Sequence, residues 1–213
     1  KARKMLDEAG LQCCKIVASN SLDEYLIRDL MMQEAKIDTF GVGERLITAK
    51  SAPVFGGVYK LAAVEDEQGN IIPKIKISEN TAKITNPHYK KLYRFYDNES
   101  GKALADELCV YDETIDSTKP HTIFDPDAIW KTKTLTDYTA RELHVTVFKN
   151  GELVYKQPSL YEIRIYCAEQ LETLWDEVKR FENPHTYYVD LSKKLWDIKN
   201  ALLEKSKDGK DLK

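Results

Sequence analysis

The chain has 213 residues, 42% hydrophobic and 31% charged, with a formal net charge of −3. That balance is ordinary for a globular protein, and it excludes the broad basic field that nucleic acid or an anionic membrane would need. No apolar run approaches the roughly 18 residues that span a bilayer. With no secretory leader visible, the expectation is a cytoplasmic protein with neither nucleic-acid nor membrane partners.

Lys1 to Gly10 reads as the second half of an amphipathic helix closed by a C-cap glycine, so the expectation is a piece of a longer protein. Cys14 to Ala18 is a β-branched apolar run, predicted as a buried strand. Ser21 and Glu24 have capping-box spacing and predict a helix to about Gln33, with Met31 and Met32 in the core. Ile37 to Phe40 predicts a second strand, which ends in Gly41-Val42-Gly43-Glu44-Arg45. Strand, polar loop, helix, strand and glycine loop, about 22 residues apart, is the rhythm of a parallel sheet.

Such sheets gather ligands at the carboxyl ends of their strands. Ser19, Asn20, Gly41, Val42 and Gly43 all fall there. Glycines let backbone N–H groups converge on one point, and a concave set of amides attracts phosphate. A second glycine pair, Gly56-Gly57, follows. Glu44 and Arg45 either contact a ribose or phosphate together or form an ion pair with each other. Asp23 and Glu24 are explained by the dipole of the helix they begin.

From about residue 58 the rhythm becomes antiparallel. Val58–Val64 and Ile71–Ile77 flank a turn at Asp66 to Asn70. Asn86-Pro87-His88 is a turn, and Tyr89–Tyr96 pairs with Lys102–Val110. Asp112 to Lys119 reads as an exposed loop, and Lys131-Thr132-Lys133 as a solvated polar face. Asn150-Gly151 is a strong type I′ hairpin signal. Ser159 with Glu162 opens a helix predicted to reach about Phe181, with Ile163, Tyr166, Leu171, Leu174 and Trp175 inward. Asp190 is the predicted cap of a last helix, Leu191 to about Lys205, before a charged tail that should fray. The domain division expected is 1–57 and 58–213.

Chemistry-bearing clusters are few. His88, His121, His144 and His185 lack metal-ligand spacing, so no metal site is predicted. Cys13, Cys14, Cys109 and Cys167 read as free thiols in a reducing compartment.

Three segments carry a resemblance: Ile16 to Tyr25, Phe40 to Leu46, and Gly56 to Leu61. Supporting matches lie at Lys74–Ser78, Tyr93-Arg94, Thr139–Leu143, Trp175 and Asp190–Ser192. In these the sequence resembles the C-terminal portion of bacterial nicotinate phosphoribosyltransferase, over essentially its whole length. The resemblance implies an α/β fold: the C-terminal part of an irregular TIM-like (β/α) barrel of the type II phosphoribosyltransferases. To it are added a mixed or antiparallel sheet layer and C-terminal helices. It implies a homodimer that joins nicotinate to phosphoribosyl pyrophosphate, giving nicotinate mononucleotide and pyrophosphate, with Mg²⁺ and with ATP hydrolysed through a phosphohistidine. Gly41, Val42, Gly43 and Glu44 match the family loop that holds the phosphoribosyl phosphate, and Ser19 and Asn20 match the neighbouring loop of the same pocket.

The family's catalytic histidine, its nicotinate-stacking aromatic and its Asp-Ser-Gly-Asp loop match nothing here. They are expected upstream of Lys1, so this chain should hold no catalytic residue and be inactive alone. His88 stands where relatives commonly carry glycine, and bears strain if φ there is positive. The alternatives are a non-catalytic regulatory or assembly subunit that retains the phosphate pocket, and a sister enzyme that uses nicotinamide or quinolinate.

Overall fold

The structure, a computed structural model, describes residues 1–54 and 56–207. The chain divides into two compact units, Lys1–Val58 and Tyr59–Lys213. The predicted tail beyond Lys207 lies outside the described residues.

The first unit opens with α1 (Ala2–Glu8), closed in a Schellman arrangement. Gly10 has φ 74°, its N–H donates to Asp7, and that of Leu11 donates to Leu6. Strand β1 (Val17–Ser19), helix α2 (Glu24–Met32), strand β2 (Thr39–Gly41) and the one-turn helix α3 (Glu44–Ile47) follow. β1 and β2 pair in parallel, with Val17 opposite Thr39 and Ser19 opposite Gly41. This is the predicted βα unit, with its strands displaced toward their C-terminal ends; β1, predicted buried, instead leaves Val17 63% exposed. The Asp38 carboxylate takes the Ile16 N–H at 2.7 Å, so the ladder starts only after it.

Two local expectations are corrected in this unit. The cap of α2 is Asp23 rather than Ser21: its carboxylate accepts from the Leu26 N–H at 2.9 Å, and Ser21 has a left-handed φ of 48°. Aspartate caps as well as serine and stands directly before the first helical residue. Met31 and Met32 are 55% and 76% exposed rather than in a core. A two-stranded sheet is too small to cover a helix.

The second unit begins with the hairpin β3 (Ala63–Glu65) and β4 (Ile71–Pro73). Its turn is held by Asp66, whose carboxylate accepts from the backbone N–H groups of Gln68 and Asn70. Two long strands carry the core: β5 (Lys90–Asp97) and β6 (Ala103–Val110), antiparallel as predicted. The shorter β7 (His121–Phe124) and β8 (Thr132–Leu135) pair with each other, and β9 (Tyr138–Glu142) lies along β5. Phe95, Ala105, Cys109, Ile123, Leu135 and Tyr138 pack between these layers.

β10 (Phe148–Lys149) and β11 (Glu152–Leu153) form the last hairpin. Asn150 and Gly151 have φ of 52° and 82°, the paired positive values that a type I′ turn requires.

Helix α4 (Leu160–Glu172) carries the predicted capping box, with Ser159 and Glu162 bonded reciprocally. It stops nine residues before Phe181, because its last carbonyls are taken from outside. Lys102 donates to the Glu172 and Leu174 carbonyls, the Ala103 N–H to that of Thr173, and the Thr173 hydroxyl folds back onto Gln170. Ile163, Tyr166, Leu171 and Trp175, predicted inward, are all at least two-fifths exposed.

Asp190, the predicted cap, lies in strand β12 (Val189–Leu191), which joins β6 in parallel and makes the four-stranded sheet mixed. The Ser192 hydroxyl accepts the Leu195 N–H instead, at the start of α5 (Lys193–Lys207). Leu195 packs on Val110 and Leu191.

Candidate functional site

In the first unit the parallel register decides which groups meet. Ser19 and Gly41 are opposite each other in the last rung, so Asn20 and Val42 leave the same end of the sheet. The two exits are tied together. The Ser19 hydroxyl donates to the Gly41 carbonyl at 3.2 Å, and a Cβ on Gly41 would come within 3.2 Å of Ser19 Oγ. Gly41 is thus the place where the second strand comes close to the side chain of the first, which only glycine permits without displacement.

Past the last rung, both chains turn sharply. Asn20 has φ 104° and Ser21 φ 48°, values that asparagine and serine adopt at a cost to the backbone. Gly43, at φ −109° and ψ −112°, begins α3, and its carbonyl accepts from Leu46 and Ile47. Nothing lies within 4 Å of the position where a Gly43 side chain would start.

The loops are also joined by charge. Arg45 donates to the Asp23 carboxylate, 22 residues upstream. The alternative of a Glu44–Arg45 ion pair is therefore not what forms. Asp23 serves two ends at once: it caps α2 and anchors Arg45 of the next helix. The Leu26 N–H first, and Arg45 next, hold its carboxyl below the ordinary 3.8. Sequence reasoning assigned Asp23 to the helix dipole alone. The 22-residue spacing of Asp23 and Arg45, equal to that of Ser19 and Gly41, was the available signal. Glu44 starts α3, and its carbonyl accepts the Thr48 hydroxyl.

In the second unit the buried charges are matched. Arg94 makes a two-pronged contact with Asp106, both arms at 2.8 Å, and the Tyr187 hydroxyl donates to the same carboxylate. His121 lies 2.8 Å from buried Glu107, and the Cys109 thiol donates to that carboxylate at 3.5 Å. Burial and the Glu107 charge push the Cys109 thiol far up, so it is no nucleophile. His121 opens β7, an edge strand, and its partly exposed ring stacks on Phe95. Cys13, Cys14 and Cys167 are free and exposed. Among the described residues no three His, Cys, Asp or Glu side chains gather as a metal cage. No described helix is long and apolar enough to cross a membrane.

The described residues form an α/β protein with mixed sheets, a fold shared with part of a solved phosphoribosyltransferase. The chain superposes on the crystal structure of human nicotinic acid phosphoribosyltransferase with a TM-score of 0.66, at 24% identity, over 95% of its own length and 36% of that chain. A model of the nicotinate phosphoribosyltransferase C-terminal domain matches residues 89–199. Nicotinate phosphoribosyltransferase of Bacillus subtilis is 42% identical over 93% of this chain, and that of Dictyostelium discoideum 34% identical over 93%. The chain belongs to the nicotinate phosphoribosyltransferase family. It spans 40% of the length of the first relative and 34% of the second, in keeping with the C-terminal portion expected from the sequence.

Proposed function

We propose that this chain is the C-terminal part of an enzyme that joins nicotinate to phosphoribosyl pyrophosphate, releasing nicotinate mononucleotide and pyrophosphate. The observation that carries the reading is the 42% identity to the Bacillus subtilis enzyme across 93% of the chain. The complete protein is proposed to close a (β/α) barrel around the β1–β2 unit, to act as a cytoplasmic homodimer, and to use Mg²⁺ and ATP. Among the described residues no three His, Cys, Asp or Glu side chains gather to hold the metal.

The part proposed for this chain is anchoring. Departure of pyrophosphate leaves an oxocarbenium-like ribose, and the reaction gains if the sugar cannot drift while the bond breaks. Backbone N–H groups at 41–43, with Ser19 and Asn20 beside them, are proposed to hold the 5-phosphate. Preorganised donors of this kind need no rearrangement as charge develops. Arg45, paired with Asp23, ties the loops at the two strand exits together. Glu44 is proposed to orient the sugar.

A chimera tests this. The chain replaces the matching segment of the Bacillus subtilis enzyme, and formation of nicotinate mononucleotide is measured. Turnover that is retained, and falls about a hundredfold with Gly43→Asp, is expected. A chimera that folds but forms no product, or that prefers nicotinamide or quinolinate, would overturn the assignment.

A further inference from the structure

The second unit holds a cavity of about 400 Å³, bordered by β7, β8 and β12. Ile123 and Phe124 give it an apolar wall, with Tyr188 and Asp190 beside them. Asp190 is 4% exposed. Each of the other buried polar residues has a partner: Asp106 has Arg94 and Tyr187, Glu107 has His121, and Ser192 has Glu113. No described side chain bonds or ion-pairs with Asp190, and since no sealed side-chain oxygen is left without a partner, its carboxylate opens into the cavity. A carboxylate so largely buried and without an ion-pair partner is costly.

The field around it is negative. Burial first, then Asp125 and Glu107, push its carboxyl up to about 6. Of the two lysines lining the cavity, Lys131 is 3.6 Å from Asp125 and so is already engaged, and Lys133 is exposed. A metal ion is poorly served, since no three potential ligands gather there. What the space lacks is one positive group with N–H donors and an apolar stem.

We propose that this cavity binds a small organic monocation, its primary ammonium or guanidinium group seated on Asp190 and its aliphatic stem against Phe124 and Tyr188. Phe124 and Tyr188 give the stem apolar contact, and an ion pair out of water is stronger than one at the surface. The lysines bar a second positive charge. The proposal rests on the second unit alone and stands independently of the phosphoribosyl-transfer reading.

The test uses n-butylammonium and n-butylguanidinium as probes and n-butanol as the control with the same stem. The Asp190 carboxyl ¹³C resonance of the 213-residue chain is followed as each is added at neutral pH. Saturable shifts are expected with both cations and not with butanol, and the carboxyl titration midpoint should move down when a cation is present. Asp190→Asn, nearly isosteric, should weaken binding about tenfold or more. If that variant does not fold, the unaltered chain decides by pH, since binding should weaken as the carboxylate is protonated below about 6. No saturation, equal binding of butanol, binding unchanged in Asp190→Asn, or binding independent of pH would overturn the proposal.

Discussion

Asp190 opposes folding in the very pH range where most carboxylates support it. Its folded carboxyl titrates near 6, above the ordinary 3.8, chiefly because it is buried. Above both values the folded state must hold an unmatched charge. As pH falls from 6 toward 4 the folded state takes up a proton before the unfolded one does, and stability from this residue rises. Asp190→Asn should therefore raise Tm at pH 8 and leave it unchanged near pH 4; an equal effect at both would contradict the assignment. Asp23 has the opposite sign. Its carboxyl is held low by the Leu26 N–H and Arg45, so its contribution is present at neutral pH and lost as pH falls through its folded value. His88 has φ 79°, the left-handed conformation that strains a histidine. The left-handed turn costs about 1 kcal/mol, and the freedom of glycine in the unfolded chain offsets about half of that. Chemical denaturation of His88→Gly should show a gain of about 0.5 kcal/mol; a loss would mean that the ring contact with Tyr111 outweighs the strain.

Among the elements, β5 and β6 are bridged by a buried ion pair. Arg94 and Asp106 pair across the strands, and Tyr187 donates to the same carboxylate. Arg94→Met leaves a buried charge half-matched and should cost about 3 kcal/mol in urea unfolding. Adding Asp106→Asn should restore part of that loss. A single variant as stable as the parent would show that Tyr187 alone satisfies Asp106. The elements also show what the sequence could and could not tell. Hairpins were legible, because Asn150-Gly151 and Asp66 to Asn70 carry their turn chemistry locally. The β1–β2 unit was legible through its apolar runs and its glycines. The end of α4 was not, since Lys102 and Ala103, some seventy residues away, take its carbonyls. Nor was β12, where Asp190-Leu191-Ser192 reads as a helix start until β6 is present to pair with it. At the candidate site the glycine exits were read from sequence, whereas the Asp23–Arg45 tie was missed because each residue had a sufficient local explanation.

At the scale of the whole molecule, the β1–β2 sheet has two strands and open edges, and α4 leaves Leu160, Tyr161 and Tyr166 exposed. Open edges and apolar faces invite association. Size-exclusion chromatography of the 213-residue chain should therefore show self-association; a compact monomer at all concentrations would count against it. Assayed alone, the chain is expected to form no nicotinate mononucleotide, since it spans 40% of the length of the Bacillus subtilis enzyme. The central claim is narrower: two neighbouring strand exits hold one phosphate. Ribose 5-phosphate added to ¹⁵N-labelled chain tests it most directly. The account predicts saturable amide shifts at Asn20, Gly41, Val42 and Gly43, abolished by Gly43→Asp in a chain whose other resonances are unmoved. Absence of saturation, or the same shifts in the Gly43→Asp chain, would contradict it.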